Sequence, residues 1–129
     1  MTAFQVLLLL FLLFTKHFIA DFPLQRPFHY LNKGTYGHYG GIQHALIHAS
    51  FTLMVLFWFH VLVFPISINL IIIAAGLDGI IHYHIDWAKV KLNKLLGWGP
   101  TTHEEFWVLL GLDQFLHAVT YIGLVLFLV

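Results

Sequence analysis

Four apolar runs, each close to the length that crosses a bilayer, leave this chain little freedom in how it folds. They cover about residues 2–20, 42–64, 66–85 and 106–129, and a helix through the hydrocarbon region needs about 20 mostly apolar residues. Lipid offers no partner to backbone N–H and C=O groups, so each run must close its own hydrogen bonds as a helix. Composition agrees, since 60% of the 129 residues are hydrophobic and 9% are charged, too few polar side chains to cover a surface in water. The expected fold is all-α, a single domain over residues 1–129 built as a bundle of four transmembrane helices. The first run lacks the basic n-region and small-residue cleavage site of a secretory leader, so it reads as a membrane helix.

Ionisable residues are set into these runs four apart: His17 with Asp21, His44 with His48, Asp78 with His82 and Asp86, and Asp113 with His117. Side chains at i and i+4 share one helix face, so each helix can turn two or three ligand-type groups toward a common centre. Depth points the same way. His17, His44, His48 and His82 fall within about two turns of the ends that face the long connections, Asp78 and Asp113 lie roughly 10 Å inside, and His117 is about one turn deeper. A carboxylate at the bilayer centre costs roughly 2.5 to 3.5 kcal/mol on insertion scales, a cost met mainly where the group is paired or functional.

Cysteine is absent, so a metal would be held by nitrogen and oxygen alone. Imidazole and carboxylate together suit a divalent ion, zinc first, with manganese or iron as alternatives. One grouping puts an ion on His44, His48, His82 and Asp86 and a second on His17, Asp21, Asp113 and His117, with Asp78 as a bridging ligand or general base. Gln25, Gln43 and Gln114 are candidates to orient those ligands from behind, or to bond neighbouring backbone. His29, His38, His60 and His103 read as isolated hydrogen-bonding residues near helix ends. His84, two residues from both His82 and Asp86, faces elsewhere.

Charge sets the expected orientation. Lys16, Arg26 and Lys33 flank or lie in the first connection and Lys89, Lys91 and Lys94 in the third, while both termini and the turn at Pro65 have no lysine or arginine. The positive-inside rule puts the two long connections in the cytoplasm and both termini on the outer side. Lys16, Arg26 and Lys33 could also draw in an anionic head group. The formal net charge of zero argues against nucleic acid as a partner. Pro23 and Pro27 close the first helix, and the glycines of the first connection match no phosphate-binding fingerprint. Thr101 and Thr102, three residues before Glu104 and Glu105, stand in capping-box register ahead of the last helix. The lysine- and tryptophan-bearing segment from Asp86 to Trp98 is expected at the membrane interface.

The run His17-Phe-Ile-Ala-Asp21-Phe-Pro-Leu-Gln25, the histidine pair opening the second helix, the His82 to Asp86 element with its lysine-rich continuation, and Asp113-Gln114-Phe-Leu-His117 together resemble the family of small bacterial and phage membrane proteins designated domain of unknown function 3307. The resemblance covers nearly the whole chain. It implies a multi-pass protein of the bacterial inner (cytoplasmic) membrane, in some cases phage-encoded, with intramembrane histidines and aspartates, and it implies no particular reaction. The layout is also distantly similar to small inner-membrane proteins classed as metal-dependent hydrolases. A site at head-group level suits an amphipathic substrate, so the expected partners are membrane lipids, with hydrolysis of a lipid phosphate or ester as the concrete form. Transport or relay of a divalent cation or protons, with oligomers forming the pathway, is the alternative. A haem-type carrier and a metal-free polar network that only locks the bundle are two others.

Overall fold

A computed structural model describes all 129 residues. The chain is all-helical: α1 spans Ala3–Asp21, α2 Pro27–Asn32, α3 Tyr39–Leu62, α4 Ile68–Leu96 and α5 Glu105–Leu128. Four of these, α1, α3, α4 and α5, are long and apolar enough to cross a membrane. At 1.5 Å per residue the 24-residue α3 and α5 are about 36 Å long, against a hydrocarbon thickness of about 30 Å.

The long helices pack in a closed ring: α1 on α3, α3 on α4, α4 on α5, and α5 on α1, while α1 and α4 meet across the diagonal through side chains, Lys16 to Asp78 and Asp21 to His82. The chain therefore runs up-down-up-down around a central axis. Exposed Phe4, Phe11, Leu53, Ile72, Val108 and Leu126 coat the outside, the arrangement expected where lipid, not water, is the solvent. The interior is divided. Toward the termini it is an apolar cluster that includes Leu9, Leu13, Leu56, Phe59, Ile71 and Leu124. Toward the long connections it is polar, and 13 of the buried residues are polar or charged against 14 hydrophobic ones, a ratio that an ordinary core would not support.

Several boundaries depart from the sequence expectations. The third apolar run does not end as a helix at residue 85: α4 runs unbroken through Asp86 to Leu96, because its residues are good helix formers and lysines near a helix C-terminus complement the dipole. Pro27 does not only follow the first helix; it stands at the first position of the short α2 within the first connection. No capping box forms at Thr101 or Thr102. The N-cap of α5 is Glu104, without a side-chain bond, and the Thr102 hydroxyl instead donates to the Gly99 carbonyl. A capping box does join Thr2 and Gln5 at the start of α1.

Two glycines set the spacing of the polar half. A Cβ on Gly79 would lie 3.0 Å from Ala49 Cβ and 3.3 Å from the Ala45 carbonyl, so its absence lets α3 and α4 pack closely at this level. A Cβ on Gly40 would meet the Phe28 carbonyl at 2.5 Å. Its absence lets α2 lie against the start of α3, which brings Lys33 to the bundle interior.

Candidate metal centre

The i, i+4 pairs do share faces, and all four faces turn inward. His17, Asp21, His44, His48, Asp78, His82, Asp86, Asp113 and His117 are all buried. The imidazoles form a connected stack: His48 and His82 lie ring on ring with centroids 3.5 Å apart, His82 and His117 at 4.2 Å, and His17 and His117 at 4.8 Å.

Four donor atoms from three helices converge at the heart of this stack. His44 Nε2 lies 3.1 Å from Asp21 Oδ1, 3.2 Å from His82 Nε2 and 3.3 Å from Asp86 Oδ2. His82 Nε2 lies 3.2 Å from Asp86 Oδ2 and 3.5 Å from Asp21 Oδ1. Zinc–ligand distances of about 2.0–2.2 Å imply tetrahedral ligand–ligand separations of about 3.3–3.6 Å. Five of the six edges of the Asp21–His44–His82–Asp86 tetrahedron are thus already close to the size that a bound ion requires. A second group, His17, Asp21, His48 and His82, shares Asp21 and His82 with the first, and a third, Asp86, Asp113 and His117, shares Asp86. All eight residues expected to hold metal fall in these three groups. Their division differs from the two sets of four read from sequence, because Asp21 and Asp86 sit between neighbouring groups.

Asp78 stands apart. It belongs to none of the groups, and its Oδ2 accepts from Lys16 Nζ at 2.5 Å and Thr52 Oγ1 at 2.6 Å. An oxygen engaged by both an ammonium and a hydroxyl group is poorly placed to bridge metals or take a proton, so the expected roles of ligand and base do not fit its surroundings. The glutamines separate likewise. Gln114 touches the site, lying 3.1 Å from His17 Nε2 and donating to Asp21 Oδ2 and Asp113 Oδ2. Gln43 reaches only His29, and Gln25 donates to the Asp21 backbone carbonyl. His29, His38, His60, His84 and His103 lie outside the three groups; His38 caps α3 and His60 accepts from the Ile66 N–H in the outer turn.

Lysines are the part that sequence reasoning missed. Lys33 Nζ lies 2.9 Å from Asp86 Oδ2, and Lys89 Nζ lies 2.9 Å from Asp113 Oδ2 and 3.4 Å from Asp86 Oδ1. Lys16, assigned to topology or head-group attraction, is 2% exposed and sits within the bundle. Thr52 and Tyr121 were also overlooked. Each extends its helix's stripe by another four residues, to His44–His48–Thr52 and Asp113–His117–Tyr121, and the Tyr121 hydroxyl lies 2.9 Å from His17 Nδ1.

The charges do not balance among protein groups alone. Four buried aspartates face three buried or half-buried lysines, and Asp21 is the carboxylate with no lysine within ion-pair distance, surrounded instead by the imidazoles of His17, His44, His48 and His82. His44 Nδ1, His82 Nδ1, Asp113 Oδ1 and His117 Nε2 are buried with no hydrogen-bond partner. Orphaned buried polar atoms are uncommon in folded proteins, and their concentration here marks a centre suited to a bound cation.

Fold and site together define a class: a four-helix bundle with membrane-spanning character and a buried histidine–aspartate centre in one half. The chain belongs to the family described as "Protein of unknown function (DUF3307)", which matches residues 9–129. No curated protein matches the chain. No solved structure matches it either.

Proposed function

We propose that this protein is a multi-pass enzyme of the bacterial inner membrane that uses a divalent ion, zinc foremost, to hydrolyse a phosphate or ester bond of a lipid-type substrate at the cytoplasmic face. The observation that carries the metal is the convergence of Asp21 Oδ1, His44 Nε2, His82 Nε2 and Asp86 Oδ2, with five of their six separations at 3.1 to 3.5 Å. Asp86, shared with Asp113 and His117, suits a carboxylate bridging to a second ion. A bound ion would supply Lewis acidity and bring the pKa of water toward about 7.

The protein's own groups divide the remaining work. With a single ion held by Asp21, His44, His82 and Asp86, Asp113 Oδ1 and His117 Nε2, 3.5 Å apart and unpartnered, would be free to hold and return a proton; with a second ion on Asp86, Asp113 and His117 they would be its ligands instead. Lys33 and Lys89 border the carboxylates and can neutralise charge on a phosphoryl oxygen. Lys16 and Asp78 form a buried pair beneath the centre. Transport is the weaker alternative, because the half of the bundle toward the termini is filled by Leu9, Leu13, Leu56, Phe59 and Leu124, which offer nothing to pass a cation or proton onward.

Metal content of detergent-purified protein, read by inductively coupled plasma mass spectrometry, tests the reading. One or two equivalents of zinc, manganese or iron are expected, lost in the His44→Ala/His48→Ala double variant. Folded protein without metal would overturn it. Metal-loaded protein that releases neither phosphate nor fatty acid from any lipid phosphate or ester would retain the centre and remove the hydrolase.

A further inference from the structure

Building on that centre, we infer that its ligand is a phospholipid-type amphiphile held at two joined places: a phosphate head in the basic cavity above the cluster and a hydrocarbon chain in the groove between α4 and α5. The cavity, about 740 Å³, opens where the two long connections meet and is lined by Gln25, Lys33, Lys89, Asn93 and Lys94 among others. Two of its lysines are the same groups that pair with Asp86 and Asp113, so an anion seated there lies one side chain away from the metal-directed atoms. Gln25 Oε1 and Asn93 Oδ1 are buried without partners.

Lys89 also lines a second, narrower space of about 220 Å³ between α4 and α5, whose other walls include Ile85, Ala88, Leu92, Leu109 and Leu112, with Asp113 at its inner side. One side chain thus separates a cationic chamber from an apolar slot on the helix surface, the charge and polarity pattern of a lipid lying across the head-group boundary. The 29 residues of α4 extend about 43 Å, longer than the hydrocarbon layer, which leaves its lysine-bearing end at head-group level.

Electrostatics couples this seat to the metal. Asp21, Asp86 and Asp113 against Lys33, Lys89 and Lys94 leave the cluster and its cavity without net charge, so nothing beyond local pairing favours an anion; one divalent ion makes the sum two positive. Metal and phosphate should therefore bind with positive cooperativity, each tightening the other by the same factor, in the range of about 5- to 150-fold.

The test uses full-length protein in a neutral maltoside detergent, with dihexanoyl phosphatidic acid, dihexanoyl phosphatidylcholine and inorganic phosphate as probes in calorimetric titrations, and metal content measured on every sample. Phosphatidic acid is expected to bind the zinc-loaded protein at least about tenfold more tightly than inorganic phosphate or phosphatidylcholine, and less tightly after chelation. Ala88→Trp, which fills the slot without touching a ligand, should abolish the preference for phosphatidic acid over phosphate and leave metal content unchanged. Lys94→Glu should weaken both anions with metal again unchanged. Equal binding of phosphatidic acid and phosphate, unaffected by Ala88→Trp, would confine the ligand to free phosphate and overturn the chain slot. Stoichiometric metal with no anion binding would overturn the whole seat and leave the metal centre standing. Loss of metal from wild-type protein would instead be the failure of the centre itself.

Discussion

At the residue scale, Asp21 is the carboxylate on which the centre turns, because it belongs to two ligand groups and lacks a lysine. Asp21→Asn, which keeps the shape and removes the charge, is expected to abolish stoichiometric metal. His60→Ala and His29→Ala should leave it intact, and equal metal in all three variants would dissolve the ligand set. The Lys16–Asp78 pair, with both side chains 2% exposed, makes a contrasting prediction. Asp78→Asn leaves a buried ammonium without its counter-ion and should destabilise the protein by about 3–5 kcal/mol, whereas the paired change Lys16→Met/Asp78→Leu should recover most of that loss. Thermal unfolding in detergent reads both, and a double variant no more stable than Asp78→Asn would show that the pair does more than satisfy itself. The eight ligand-type residues were legible because i, i+4 spacing is a property of the helix alone. Their partners were not. Lys33 reaches Asp86, 53 positions further along the chain, and nothing local to Lys33 announces that α2 will fold it inward.

At the element scale, the geometry of the centre depends on how closely α3 and α4 approach, since those helices bring His48 and His82 into ring-on-ring contact with centroids 3.5 Å apart. Gly79 permits it. Gly79→Val inserts two methyl groups and a Cβ against Ala49 and the Ala45 carbonyl, an overpacking expected to cost about 1–3 kcal/mol and to part His44 and His48 from His82. We expect such protein to remain helical by circular dichroism yet bind metal at least about tenfold more weakly, although no ligand has been altered. Undiminished affinity would mean that the bundle re-forms the site by moving elsewhere. Helix existence was readable from the apolar runs, as lipid admits little else, but helix ends were less so. Hydropathy falls at Asp86 and so points to a helix end at Ile85, while helix propensity and backbone bonding carry α4 on to Leu96. Gly79 gave no sign of its role, since a glycine in an apolar run looks the same whether it faces lipid or a neighbouring backbone.

For the whole molecule, the division into an apolar half and a polar half means that the two ends are stabilised by different physics. Leu9, Leu13, Leu56, Phe59 and Leu124 hold the terminal half by close packing and owe nothing to a metal. The half toward the long connections gathers Asp21, Asp86 and Asp113 beside five histidines and two lysines, and removing a cation from it leaves like charges facing one another across α1, α4 and α5. A ligand present at 100 times its dissociation constant stabilises the folded state by about 2.7 kcal/mol, so saturating zinc should raise the unfolding temperature measurably and a chelator should lower it. The effect should be local as well as global. Hydrogen exchange after chelation is expected to rise around His44, His82 and Asp86 while the amides near Leu56, Phe59 and Leu124 stay protected, and in Asp21→Asn neither zinc nor chelator should move the unfolding temperature. Exchange that rises uniformly along all four long helices would mean that the halves form one cooperative unit, whereas no response to chelation in metal-loaded wild-type protein would mean that the ion contributes nothing to holding the bundle.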